Sequence, residues 1–141
     1  MSDPGTMTRP EREAFLAAVH VGVLAVDEPG RGPHALPIWY LYEDGEILIG
    51  IDASSRKAAL LQSAGRAALT VQTESAPYQY VSVEGPVVIE PAHHDELALA
   101  KRYLGDELGA WYVEHNPRTE DSRTVRLRPE RWRTFDFAKL F

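Results

Sequence analysis

Cysteine is absent from the 141 residues, which excludes disulfides, zinc fingers, iron–sulfur clusters and thiol nucleophiles together. Long apolar runs are absent too. Nothing approaches the roughly 20 consecutive apolar residues of a membrane-spanning helix, and the opening MSDPGTMTRPEREAF holds no apolar stretch of signal-peptide length. A cytoplasmic location is the expectation. Positive charge is in deficit: 15 Lys and Arg against 21 Asp and Glu leave a net charge of −6. That balance disfavours nucleic-acid partners, whose binding depends on neutralising phosphates. Internal repeats and low-complexity tracts are missing.

Hydrolytic machinery is missing as well. Ser82 lacks the flanking glycines of a nucleophile elbow, and His20, His34 and His115 are scattered without a serine and carboxylate to complete a triad. The quartet His93-His94-Asp95-Glu96 resembles a metal cluster on paper. Adjacent helical positions point about 100° apart, so the four cannot converge on one ion as H-E-x-x-H does. It reads as the solvated first turn of a helix, and no metal site is expected. Gly30-Arg31-Gly32-Pro33-His34-Ala35 spells G-x-G-x-x-A, yet it leads through Pro33 and Pro37 into a strand rather than a helix, which refutes a dinucleotide fingerprint.

What is present is an ordinary globular composition, 44% hydrophobic and 26% charged, in a chain long enough for one core. Residues 1–7 read as a loose tail and 8–141 as a single domain. Thr8 and Glu11 form a capping box for a helix whose apolar face holds Phe15, Leu16 and Val19. HVGVLAVD reads as the first strand. HALPIWYLYE and EILIGID flank Asp44-Gly45, a strong two-residue hairpin signal, and form the second and third. A helix follows from Ser54 or Ser55 to about Ala64, stopped by Gly65, with Ala58, Leu61 and Ala64 facing inward. The fourth strand is 66–73 and the fifth 78–90, with Gly85-Pro86 marking a bulge or bend. Pro91 opens a helix with Leu97, Ala100, Lys101 and Leu104 on one stripe, and Asp106 caps another running to about Glu114. Residues 122–137 form a sixth, edge-like strand. The fold class is mainly β with α: a small six-stranded antiparallel barrel with short flanking helices.

One stretch, ASSRKAALLQSAGRAALTV, poses a question. Helix starts favour acidic residues, because the first turn presents unpaired N–H groups and the positive end of the peptide dipole. Here Arg56 and Lys57 stand there instead. Either both side chains reach into water, or an anion sits against the N–H groups between them. Trp39, Tyr40, Tyr42, Tyr78 and Tyr80 enrich two strands in aromatics, which serves core packing, a subunit interface or a planar ligand.

The order of these elements, with PIWYLYEDGEILIGIDASSRK and the ending RWRTFDF, resembles the pyridoxamine 5'-phosphate oxidase-like flavin-binding split β-barrel family. The resemblance makes the six-stranded antiparallel barrel a split β-barrel and implies an oxidoreductase that transfers hydride to a small-molecule acceptor. It implies FMN as cofactor or, alternatively, a factor 420 type 8-hydroxy-5-deazaflavin. By the same resemblance, the backbone of Pro37, Ile38, Trp39 and Tyr40 runs along the cofactor edge and Gly50 and Ile51 lie beside it. Ser55, Arg56 and Lys57 hold its phosphate, Tyr80 contacts the ring, and Trp132 closes the site from the partner subunit of a homodimer. The N–H groups of residues 38–40 then stabilise charge developing on the ring. Arg66 and the cluster Arg126, Arg128, Arg131 and Arg133 are candidate cations for the longer deazaflavin tail. No residue is assigned as catalytic, because such redox chemistry resides in the cofactor. Two departures stand out: Gly50-Ile51-Asp52-Ala53 where relatives often carry an aromatic and a threonine, and no Arg-x-x-x-Arg near the end, which argues against vitamin B6 oxidation. A non-catalytic carrier of flavin or a tetrapyrrole-like ligand is the alternative function.

Overall fold

The computed structural model describes residues 3–141. Eight strands run β1 Gly22–Val26, β2 His34–Ile38, β3 Leu41–Glu43, β4 Glu46–Asp52, β5 Arg66–Gln72, β6 Gln79–Pro91, β7 Ser122–Leu127 and β8 Arg131–Asp136. Four helices accompany them: α1 Arg9–Ala17, α2 Arg56–Ala64, α3 Glu96–Leu104 and α4 Asp106–His115, with a 3-10 turn at Phe137–Leu140. The pairings among these strands are antiparallel, in the order β2-β1-β5-β6-β7-β4-β3, with β8 on β6. The result is a curled half-barrel flanked by short helices.

Strand β6 holds the two halves together. Residues 80–86 pair with β5, 79–84 pair with β8, and 87–91 pair with β7. The strand changes sheets at Gly85-Pro86, where a Cβ on Gly85 would collide with the Arg128 carbonyl oxygen. The expected bend is therefore a point of backbone contact where only glycine fits.

Two of the six expected strands are each divided. The second breaks at Trp39 and Tyr40, so that β2 pairs with β1 and β3 pairs with β4 across the barrel. Tyr40 drives that crossing: its ring is fully buried, its phenol donates to the Leu16 carbonyl at 2.6 Å, and its amide donates to Tyr103 Oη at 3.1 Å. The last strand breaks at Arg128-Pro129-Glu130, since proline supplies no N–H to a ladder. Of its two halves, β7 lies centrally between β4 and β6, and β8 pairs with β6 alone.

Alternation along the strands fills the core. Leu24, Val26, Ile47, Ile49, Leu69, Val71, Val81, Val83, Val125 and Leu127 point inward, joined by Leu16 of α1 and Leu60 and Leu61 of α2. A smaller cluster of Leu41, Leu48 and Leu99 lies against Trp39 and Tyr103. Local signals account for many of the boundaries. Thr8 and Glu11 form the capping box, Asp44 and Gly45 both have positive φ (52° and 77°), as a type I′ hairpin requires, Ser55 caps α2, and Gly65 ends it at φ 69°.

Other expectations fail for tertiary reasons. Residues 3–7 are docked rather than loose: Asp136 N–H donates to the Gly5 carbonyl at 2.8 Å, Met7 N–H donates to Thr134 Oγ1 at 2.9 Å, and Met7 is buried. Val19 lies beyond the end of α1 and is exposed. Ala64 is exposed at the last turn of α2. Pro91 ends β6, and α3 begins only at Glu96 under an Asp95 cap, burying Leu99 and Ala100 while Leu97 faces out. Among the described residues, no helix is long and apolar enough to cross a membrane.

Candidate functional site

A cavity of about 430 Å³ opens between the ends of β2 and β4, the start of α2 and the α3–α4 pair. Pro37, Ile38 and Trp39 form one wall, Gly50 and Ile51 the facing one, and Lys57 enters from the first turn of α2. These six expected site residues come together. Trp39 is held by the helices: its ring stacks on Tyr103 at 5.1 Å and 9°, and meets Tyr112 tilted at 5.6 Å.

The other expected residues do not line the cavity. Tyr40 belongs to the core, and its amide, already bonded to Tyr103, is not available to a ligand. Ser55 caps α2, its hydroxyl donating to the Asp52 carbonyl at 2.7 Å and accepting the Ala58 N–H at 3.2 Å, which orients the turn that carries Lys57. Arg56 points away and donates to Glu28, a carboxylate only 8% exposed before β2. That ion pair holds the Glu28 carboxyl below the usual carboxylate range, with Arg31 and His34 adding to it. Half of the puzzle of two cations at a helix start is thus solved within the chain, and only Lys57 remains directed at the cavity. Tyr80 lies on β6 opposite Phe135, and Trp132 on β8 opposite Val83, under the Arg12 guanidinium at 4.3 Å. Three of the arginines reserved for a longer tail are engaged elsewhere: Arg66 with Glu130, Arg126 with Glu90 and Glu46, Arg131 with Glu84.

Three residues that the sequence reading missed complete the site. Arg118 and Arg123 line the cavity beside Lys57. Arg118 donates to the His94 carbonyl and lies 3.3 Å from Glu96 Oε2, while Arg123 Nη1 donates to the carbonyls of Glu120 and Ser122 at 2.7 and 2.8 Å. Arg118 sits in a loop with no periodicity to betray it. Arg123 is the second residue of β7, where alternation predicts only the face and not what it faces.

The third is His94, which is not on a solvated helical turn but 93% buried in the loop before α3, against the cavity. Thr124 lies opposite Gly50 in the β4–β7 register and holds the imidazole by Nδ1 at 2.7 Å. The ring covers Gly50 so closely that a Cβ there would lie 2.8 Å from Nε2. Burial first, then the nearby Arg118 and His93, hold the imidazole down at about 4, so it is neutral at physiological pH. Among the described residues, no group of His, Asp and Glu is arranged to hold a metal ion.

The cavity thus joins an indole and aliphatic wall to three cations, offset by Asp52 and by Glu96, which Arg118 already engages. A planar ring with an anionic tail is the ligand class this donor set suits, in a volume within the usual range of about 300–1,000 Å³.

The sequence profile described as pyridoxamine 5'-phosphate oxidase matches residues 8–136. Among solved structures, the conserved hypothetical protein Rv2991 from Mycobacterium tuberculosis is similar at 26% identity and TM-score 0.81, covering 99% of this chain and 91% of that one. An F420 reductase is similar at 22% identity and TM-score 0.62, over 86% of this chain and 94% of that one. The FAD and heme binding protein from Mycobacterium smegmatis is similar at 16% identity and TM-score 0.67, over 95% of this chain and 73% of that one. No curated protein matches in sequence.

Proposed function

Because the chain belongs to the pyridoxamine 5'-phosphate oxidase family, we propose that it is an oxidoreductase whose cavity holds FMN, or alternatively a factor 420 type deazaflavin, for hydride transfer to a small-molecule acceptor. The observation that carries this reading is the meeting of Trp39, Ile38 and Ile51 with Lys57, Arg118 and Arg123 in one cavity. The bound ring would supply the hydride chemistry. The chain's part is to bind and orient. Lys57, in the first turn of a helix that carries no acidic residue there, would meet an anionic group both with its ammonium and with the dipole of α2. Arg118 and Arg123 extend the cationic side, and Trp39, braced by Tyr103 and Tyr112, gives a rigid apolar surface that excludes water from one edge of the ring.

Titration of purified protein with FMN and with the deazaflavin tests the reading. Saturable binding of one, followed by its reduction and acceptor-dependent reoxidation in stopped flow, is the expected result. The second reading is a carrier, which would bind without turnover; the name of the FAD and heme binding protein makes heme a ligand worth including in the same titration.

The proposal extends to a homodimer. Val21, Val23, Tyr78, Tyr80 and Phe137 leave apolar surface exposed, and Tyr78 meets Phe137 edge to face at 6.3 Å. Tyr80 and Trp132, which do not line the cavity of their own chain, would then serve the partner subunit. Light scattering should give twice the chain mass; a monomer that binds cofactor tightly refutes the two-subunit site. The proposed compartment is the cytoplasm, tested by fractionation of the source cells.

A further inference from the structure

His94 is a buried titratable group at the cavity for which the proposed hydride transfer has no use, and its surroundings determine where its proton sits. Thr124 Oγ1 receives two backbone donors, His93 N–H at 2.8 Å and His94 N–H at 3.2 Å. A hydroxyl oxygen has two lone pairs and one proton. With both lone pairs taken, the hydroxyl must donate, and the atom it meets is His94 Nδ1 at 2.7 Å. Nδ1 is therefore the acceptor, and the single proton of the neutral imidazole is on Nε2. Nε2 has no acceptor among the described residues, and it lies over Gly50 at the cavity wall. A side chain 93% buried thus holds, beside Gly50 in the cavity lining, an N–H donor without a protein acceptor among the described residues. Nε2 is not among the fully buried polar atoms that lack a partner, so water reaches it from the cavity, and a ligand that displaces this water must offer an acceptor in its place.

We propose that His94 is a hydrogen-bond donor of fixed tautomer to the ligand of this cavity, meeting a ring carbonyl oxygen or an unprotonated ring nitrogen, and that it is not an axial ligand to heme iron. This rests on the reading of the cavity as a ring-cofactor site. Coordination to iron uses the Nε2 lone pair, which exists only if the proton moves to Nδ1. Nδ1 would then face a hydroxyl oxygen with no lone pair left to accept it. Thr124 and the two backbone amides therefore select for acceptors and against metals. Gly50 is part of the same arrangement, since a side chain there would displace the imidazole.

Histidine-selective 15N labelling of the full chain, read by long-range proton–nitrogen correlation, reports the tautomer directly. The expected result is protonated Nε2 and unprotonated Nδ1 from about pH 5 to about pH 8. Adding FMN, or in a separate sample the deazaflavin, should shift the Nε2 resonance. A shift with FMN alone indicates the ring nitrogen that the deazaflavin replaces with carbon, and a shift with both indicates a carbonyl or a ring nitrogen that the two cofactors share. His94→Phe should weaken binding about ten-fold, while His94→Gln, which keeps an N–H, should hold it within about three-fold. Thr124→Ser should keep the tautomer and Thr124→Val should release it. A proton on Nδ1, or His94-dependent axial ligation of added hemin, overturns the assignment. Saturable binding of either cofactor with an unmoved Nε2 also overturns it, and leaves the proposed function standing. If neither cofactor binds, the proposed function falls and the acceptor with it.

Discussion

At the scale of single residues, Arg56 and Lys57 are neighbours in the chain with opposite assignments. Arg56 is bound to Glu28, while Lys57 faces the cavity. Lys57→Ala should weaken binding of a phosphate-bearing cofactor by about ten- to a hundred-fold, the loss of one charge-assisted contact, with little change in thermal stability. Arg56→Ala should do the reverse: cofactor affinity stays within about three-fold and Tm falls, because a largely buried carboxylate loses its partner. Fluorescence titration and thermal melts on the same two variants separate these outcomes. Equal loss of affinity in both would mean that the guanidinium also reaches the phosphate.

At the scale of elements, two glycines fix how strands meet their neighbours. Gly85 lets β6 pass from one sheet to the other against the Arg128 carbonyl. Backbone cannot yield as a flexible side chain does, so Gly85→Ala should destabilise by about 3 kcal/mol or more, measured by urea unfolding. Gly50 meets an imidazole pinned by Thr124. Gly50→Ala should cost less, about 1–2 kcal/mol, yet reduce cofactor affinity, since the ring rather than the strand must move. A Gly85→Ala protein as stable as the parent would show that the sheets do not need that close approach. The hairpins and caps, by contrast, follow local chemistry: positive φ at Asp44 and Gly45, a serine oxygen on the first turn of α2.

At the scale of the whole molecule, acidification should act in one direction. His94 is held at about 4 by burial, Arg118 and His93, and His20 is lowered by burial, with Arg102 contributing. The unfolded chain protonates both near 6.5, so it binds more protons than the native state below that pH and stability falls as pH falls. The His94 share is roughly 2 kcal/mol between pH 6.5 and 4. Glu11, brought down to about 2 mainly by its bond from Lys139, and Glu28, lowered by Arg56, add losses below the ordinary carboxylate range. Tm should therefore decline steadily from neutral pH to pH ~4.5, and His94→Gln should flatten the upper part of that decline. A wild-type Tm unchanged between neutral pH and pH ~5 would contradict the burial of an uncharged His94.

The sequence by itself determined what depends on near neighbours. Period-two apolar patterns, the Asp44-Gly45 turn, the Thr8–Glu11 box and the Ser55 cap each act within a few residues, so their positions could be read directly. The order of these elements then carried the family. Tertiary structure alone decided what depends on distant partners: that Arg56 spends its charge on Glu28, that Tyr40 turns inward to Leu16, that residues 3–7 dock on β8, and that Arg118, Arg123 and His94 close on the cavity. The physical reason is that charge pairing and burial are set by separation in space, and residues such as Thr124 and His94, 30 positions apart, meet only once β7 has taken its place beside β4 and β6.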